Sequence, residues 1–212
     1  MIICEISQNF SNLSEARELV YLAKENGGDI VKAQLFDSLK LYGRHTPSEL
    51  SFEQAKMLFD YGNEVGIEVF FSVFDVERVR WCEEIGVKRY KIACGMRDTC
   101  VLSAVYNTNK SIIVSARWDF PIDHGYGTSI YCPEGYPQSK FKMPDFLYRY
   151  DVGFSDHTIG IDVAKIALAR EAEIIEKHFC IDHQTGIDAE WSMTPMELAE
   201  LVRWQAVCKE VL

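Results

Sequence analysis

The chain has 212 residues, 48% of them apolar and 25% charged, which suits one soluble domain with a sizeable core. Its formal charge of −10 excludes a broad nucleic-acid-binding face, although a local pocket of lysines can still hold a small anion. No apolar run approaches the roughly 18 residues of a membrane span, the start at Met1 lacks the basic-then-apolar pattern of a signal peptide, and seven scattered cysteines with no CxxC pair read as reduced thiols of a cytoplasmic protein.

Strand-like and helix-like segments alternate along the chain. Residues 1–6 are apolar and β-prone, and Ala16, Leu19, Val20 and Ala23 then recur at helical spacing. Residues 29–35 read as a strand and residues 52–65 as a helix, with Ser51 and Gln54 placed for a capping box. Strands are expected over 68–73, 89–93 and 111–116, separated by helices over 77–85 and 99–106. A strand over 128–132 follows, but the segment 117–127 is too broken by Pro121, Gly125 and Gly127 for a full helix, so the fifth helix is expected to be largely missing. Strands over 152–155 and 174–178 flank a helix over 159–170. Thr194, Pro195 and Glu197 then open a final helix with a cap, a first-position proline and a capping-box glutamate.

Repeated βα units imply parallel strands, and eight of them close a (β/α)8 TIM barrel, expected here as one shortened domain over residues 1–212. A doubly wound open sheet is the alternative, but no GxGxxG follows the first strand.

In a parallel barrel every strand points its C-terminal end at one face, where the active site is built. The polar residues at those ends are Glu5, Lys32 and Gln34, Ser72, Lys91, Ser115, Glu134 and Tyr136, Ser155 and His157, and His178. An unpaired charge inside a strand is costly, so Lys32 in "DIVKAQL" and Lys91 in "RYKIA" need a reason to be there. Each alone is an ordinary snorkelling or ion-paired lysine, and each serine alone is an ordinary turn-former. Two lysines and three serines converging on one mouth make a phosphate or carboxylate site. His157 and His178 end adjacent strands, with Asp156 and Glu176 as flanking acids, so the two imidazoles are candidates to share a divalent metal. Mixed nitrogen and oxygen ligation by Mn²⁺ is expected, with Mg²⁺ or Co²⁺ as alternatives and a cysteine-closed zinc site involving Cys94 or Cys180 as a further one. His45, His124 and His183 fall in loops.

The stretches "CEISQN", "DIVKAQ", "GIEVFFSVFD", "KIACG", "YP", "VGFSDHTIG" and "IIEKHFCID…GID" resemble, in this order, the sialic acid synthase family. Its motifs read approximately AEIGxNHxG, AxKFQ, FFSTPFD, KIASGE, YP, GYSDHT and EKHFTLD…GPDH. The resemblance runs from Glu5 to about Leu201 and covers the barrel domain without the family's small C-terminal antifreeze-like domain. It implies condensation of phosphoenolpyruvate with an open-chain N-acetylhexosamine on a (β/α)8 barrel. By position, His157 and His178 match the metal ligands. Lys32, Lys91, Ser115 and Ser155 match phosphoenolpyruvate contacts. Gln34, Tyr136 and Asp188 match sugar contacts, and Glu5 matches the carboxylate near the reacting centre.

Departures from the pattern accompany the match. Cys94 and Met96 stand where the family has serine and glutamate, and a methionine cannot accept a hydrogen bond as a carboxylate does. "FFSVFD" is one residue short and lacks the phosphate-contacting threonine, for which Ser72 is the substitute. Glu134 replaces an asparagine and puts a negative charge near the expected phosphate. Phe10 and Ala189 replace histidines, and the family arginine supplied by the extra domain has no counterpart.

The resemblance therefore leads to three readings: an active synthase with altered sugar preference, a barrel that binds phosphoenolpyruvate or an anionic sugar without turnover, and a different lyase or aldolase. It also implies a homodimer, or a complex with a separate protein carrying the small domain. An exposed gap at the fifth helix is expected to be filled by Trp118 and Phe120 or by a partner subunit.

Overall fold

Alternating strands and helices close on themselves in a computed structural model that describes residues 1–117, 127–139 and 153–211. The elements are β1 (Ile2–Glu5), α1 (Leu13–Glu25), β2 (Ile30–Leu35), α2 (Ser38–Tyr42), α3 (Phe52–Val65), β3 (Glu68–Val73), α4 (Val76–Ile85) and β4 (Arg89–Ile92). They continue with α5 (Thr99–Tyr106), β5 (Ser111–Ala116), β6 (Thr128–Tyr131), β7 (Gly153–Asp156), α6 (Asp162–Ala169), β8 (Ile175–His178) and α7 (Pro195–Val211). Each strand pairs in parallel with its sequence neighbours, and β8 returns to β1, giving the closed (β/α)8 barrel expected from the alternation. Trp118, Phe120 and His124 lie outside the described residues, as does most of the segment expected to lack a fifth helix.

Local chemistry explains most helix ends. Ser51 accepts from the backbone of Gln54 while Gln54 caps Ser51 in return, and Thr194 makes the same exchange with Glu197. Gly43, Gly66 and Gly86 end α2, α3 and α4 in the left-handed conformation that a Cβ disfavours. The α6 helix starts later than residue 159, because Gly160 takes φ +75° and holds the chain out of helix until Asp162. The short helix α2 carries no periodic signal. It forms because Asp37 accepts from the Lys40 backbone in a loop already tethered by the buried strand β2.

Strand parity sorts the barrel into layers. Outward residues such as Cys4, Val31, Ala33, Phe71, Tyr90, Val114, Phe154 and Ile175 pack beneath the helices in the main core. Inward residues Ile3, Ile30, Phe70, Ile113, Ile130 and Ile174 form a separate apolar floor inside the barrel. Burying each such side chain stabilises by ~1.5–3 kcal/mol. Gly153 is the small member of that layer: a Cβ there would stand 2.5 Å from Ile174 O and 2.6 Å from Ile130 Cγ2. Two residues further along every strand but β6 the inward positions are polar, so the floor carries a layer of charge directly above it.

Candidate active site

That polar layer opens into a cavity of about 410 Å³ at the C-terminal ends of the strands. Every strand-end candidate other than Glu134 lines it: Glu5, Lys32, Gln34, Ser72, Lys91, Ser115, Tyr136, Ser155, His157 and His178, joined by Asp188 from the loop after β8. Period-two alternation is what brings them together, because Glu5, Lys32, Ser72, Lys91, Ser115, Ser155 and Glu176 all follow an inward position by two residues.

The charges of this layer are mutually compensated. Lys32 Nζ lies 2.5 Å from Glu5 Oε2 and 3.3 Å from Glu176 Oε1, while Lys91 Nζ lies 3.3 Å from the same Glu176 oxygen. Lys91 also donates to Ser115 Oγ at 2.7 Å, and Ser155 Oγ donates to Glu176 Oε1 at 3.1 Å. Burial opposes the charge of Glu176, but the ammonium groups of Lys32 and Lys91 outweigh it and hold the carboxyl at about 2. Burial likewise works against Lys32, yet Glu176 and Glu5 raise its pKa; Lys91, with less compensation, is lowered by its burial. Ser72 Oγ is buried with no hydrogen-bond partner among the described residues. A hydroxyl in that condition is available to a ligand.

The histidine rings sit at the cavity's wall with centroids 5.3 Å apart and planes inclined by 55°. Both Nδ1 atoms are buried, and that of His157 has no hydrogen-bond partner among the described residues. Burial, and then the neighbouring His157, push the His178 pKa well below 6.5, so this ring is neutral and has a lone pair to offer. Asp188 Oδ2 stands 3.2 Å from His178 Nδ1. Burial, helped by the charge of Glu5, raises the Asp188 carboxyl to about 7. No group of three His, Cys, Asp or Glu side chains among the described residues forms a ready ligand set. The arrangement suits a cation that takes two imidazoles and leaves its other positions to substrate or water.

Two expectations about flanking charge are corrected. Asp156 does not accompany His157 into the cavity: strand parity turns it outward, where it receives Lys177 Nζ at 3.1 Å with both side chains fully buried. Glu176 does face inward, but it is tied to the lysines and not to the histidines. Glu134 adds no negative charge to the cavity, because it is exposed and paired with Arg117. Met96, where the family motif has glutamate, packs against the apolar core and does not line the cavity.

Sequence reasoning overlooked Gln8, Tyr42, Arg44, Thr46 and Cys132, and gave Glu176 no binding role; all six line the cavity. Glu176 was legible from its two-residue spacing to His178, and Cys132 from its two-residue spacing to Ile130. Gln8 comes from the loop after β1, Tyr42 ends the short helix α2, and Arg44 and Thr46 lie in the loop after it, whose path no periodicity reveals. Cys94 and Cys132 line the same wall, and the Cys94 thiol donates to the Cys132 carbonyl oxygen at 4.0 Å. The nearby Cys132 side chain, working against burial and assisted by Arg117, Lys91 and Arg97, brings the Cys94 pKa down to about 7.

The chain matches the model of the NeuB family over residues 40–117 and 142–212. It is 31% identical over 249 aligned positions to the N,N'-diacetyllegionaminic acid synthase of Legionella pneumophila, covering 95% of this chain and 70% of that protein. It is 26% identical to the human N-acetylneuraminate-9-phosphate synthase, again over 95% of this chain and 68% of the relative. Among solved structures, the N-acetylneuraminic acid synthetase of Leptospira borgpetersenii, crystallised with citrate, superposes with a TM-score of 0.87 at 26% identity, covering 99% of this chain and 84% of that one.

Proposed function

The chain belongs to the NeuB family, and on that premise we propose that it condenses phosphoenolpyruvate with an open-chain N-acetylhexosamine to give a nonulosonic acid and inorganic phosphate. One observation carries the reading: two buried ammonium groups and three serine hydroxyls share a cavity with a pair of imidazoles whose centroids are 5.3 Å apart.

The residues divide the work by depth. Lys32 and Lys91, with Ser72, Ser115 and Ser155, receive the phosphate and carboxylate of the enol phosphate, whose charge then competes with Glu5 and Glu176 for the ammonium groups. Gln34, Tyr136 and Asp188 hold the sugar so that its aldehyde carbon faces the enol methylene; fixing that approach is the largest service of the rigid barrel. A carbon–carbon bond forms as the enol electrons attack the aldehyde, and positive charge develops on the carbon bearing the phosphate ester. The Glu5 carboxylate stabilises that charge and orients the water that adds there. Collapse of the resulting tetrahedral centre expels phosphate into the lysine cradle. His157 and His178 would hold a divalent cation, Mn²⁺ being the expected one, which when bound supplies Lewis-acid polarisation of the aldehyde oxygen.

The test is inorganic phosphate release from phosphoenolpyruvate in the presence of Mn²⁺ and a panel of N-acetylhexosamines. Release that depends on the sugar, and falls at least 100-fold in His157→Ala and His178→Ala, is the expected result. A second reading, binding without turnover, is favoured by the withdrawal of Met96 from the cavity. Tight phosphoenolpyruvate binding with no phosphate release from any sugar would establish it in place of the first. We further expect a cytoplasmic protein acting as a homodimer.

A further inference from the structure

The cavity has a second polar wall that the condensation as described does not use. Gln8, Arg44 and Thr46 line it on the side of the loops that follow β1 and α2. Each brings a hydrogen-bond donor with no partner among the described residues. Gln8 Nε2 and Thr46 Oγ1 are buried and unsatisfied. Arg44 is exposed and, among the described residues, has no ion-pair partner, whereas Lys32 and Lys91 are both ion-paired.

The wall is held in place. Gln8 sits at φ +69°, a conformation that costs a residue with a Cβ about 1 kcal/mol or more. It is pinned there because its carbonyl accepts from Ile187 N at 2.7 Å and its side-chain oxygen accepts from Ser48 Oγ at 2.8 Å. With the oxygen occupied, the amide nitrogen is the end left to face a ligand. Thr46 is fixed by its own backbone, which donates to Ser38 Oγ. The neighbouring charged side chains are engaged elsewhere: Lys40 with Asp37, His45 with Glu49, and Arg78 with Asp75, Glu77 and Glu49.

A guanidinium, an amide N–H and a hydroxyl that line one cavity, none with an acceptor among the described residues, describe an oxyanion site. It lies at the mouth, whereas the lysines lie at the floor, so it meets the end of the acceptor sugar remote from the aldehyde. We propose that Gln8, Arg44 and Thr46 form a subsite for an oxyanion, phosphate or carboxylate, carried at that far end, so that the acceptor is an anionic amino sugar. This rests on the condensation reading for the orientation of the sugar, but the subsite can be tested without turnover.

The experiment is calorimetric binding to the full chain of three acceptors: a neutral N-acetylhexosamine, its terminal phosphate ester, and its terminal carboxylate analogue, with inorganic phosphate as a fourth ligand. The wild type should bind at least one anionic acceptor ten times or more tighter than the neutral sugar, and the ratio between the two anions identifies the source. Arg44→Ala should bring the ratio to within threefold of unity, with Arg44→Lys intermediate, and Thr46→Val should lower it about threefold. Arg44 is exposed, so these variants should fold; circular dichroism checks this, and Thr46→Val provides an independent reading. Equal affinity for all three acceptors, or a preference that survives Arg44→Ala, would overturn the proposal; inorganic phosphate, held by the lysine cradle, should bind Arg44→Ala as it binds the wild type. Phosphate release is scored separately: discrimination without release keeps the subsite and removes the condensation.

Discussion

Replacing Glu176 by glutamine keeps the side chain's shape and removes one negative charge from between two buried ammonium groups. Glu176 Oε1 is 3.3 Å from Nζ of both Lys32 and Lys91 and accepts from Ser155 at 3.1 Å. At that separation each pair is worth about 5 kcal/mol at an effective dielectric of about 20, before desolvation is subtracted. Lys32 keeps Glu5 at 2.5 Å, so the lysine left uncompensated is Lys91. Removing one partner of a buried pair typically costs ~3–5 kcal/mol. The loss is capped, because burial already lowers the Lys91 pKa and the substitution lets the amine shed its proton. We therefore expect about 3 kcal/mol at pH 6, or a fall in Tm of about 6–12 °C for a chain of this size.

The sign with pH follows from Lys91. Its folded pKa lies below the unfolded value of 10.5, so the folded variant binds fewer protons and recovers stability as pH rises toward that value. A bound anion should restore part of the missing charge, so inorganic phosphate should raise the midpoint of Glu176→Gln more than that of the wild type. Urea unfolding at pH 6 and pH 9, with and without phosphate, reads all three effects. A variant as stable as the wild type at pH 6, or one that gains no more from phosphate, would refute the charge triad.

Other consequences follow from the same structure. In the wild type, Glu176 is held at about 2 against an ordinary 4.5, so its contribution is present above pH 4.5 and lost as pH falls toward 2; the acid limb of the stability profile should flatten in Glu176→Gln. Asp156→Asn breaks a pair with both side chains fully buried and should cost ~3 kcal/mol. A cycle with Lys177→Met should show at least about 1.5 kcal/mol of coupling, and additivity would contradict the pairing. Gly153→Ala forces a Cβ to within 2.5 Å of Ile174 O and should destabilise by ~2–3 kcal/mol in denaturant titration; a neutral outcome would mean that the floor of the barrel is looser than its packing indicates.

Much of this protein is written in local patterns. The alternation of β-prone and amphipathic segments dictates parallel units and so the barrel, because only a helical return brings each strand back to the same edge. Lys32, Lys91, His157 and His178 stand out for a related reason: a charged or ionisable residue inside an apolar run needs either a buried partner or a shared cavity to face. Tertiary structure decided how those charges divide. Asp156 and Glu176 are equally acidic neighbours of a histidine, yet one residue of strand parity sends the first outward to Lys177 and the second inward to the lysine pair. The mouth is less legible still. Gln8, Arg44 and Thr46 come from loops, and loop paths are set by long-range tethers such as Ile187 N to Gln8 O, which join residues far apart in the chain and leave no periodic trace in it.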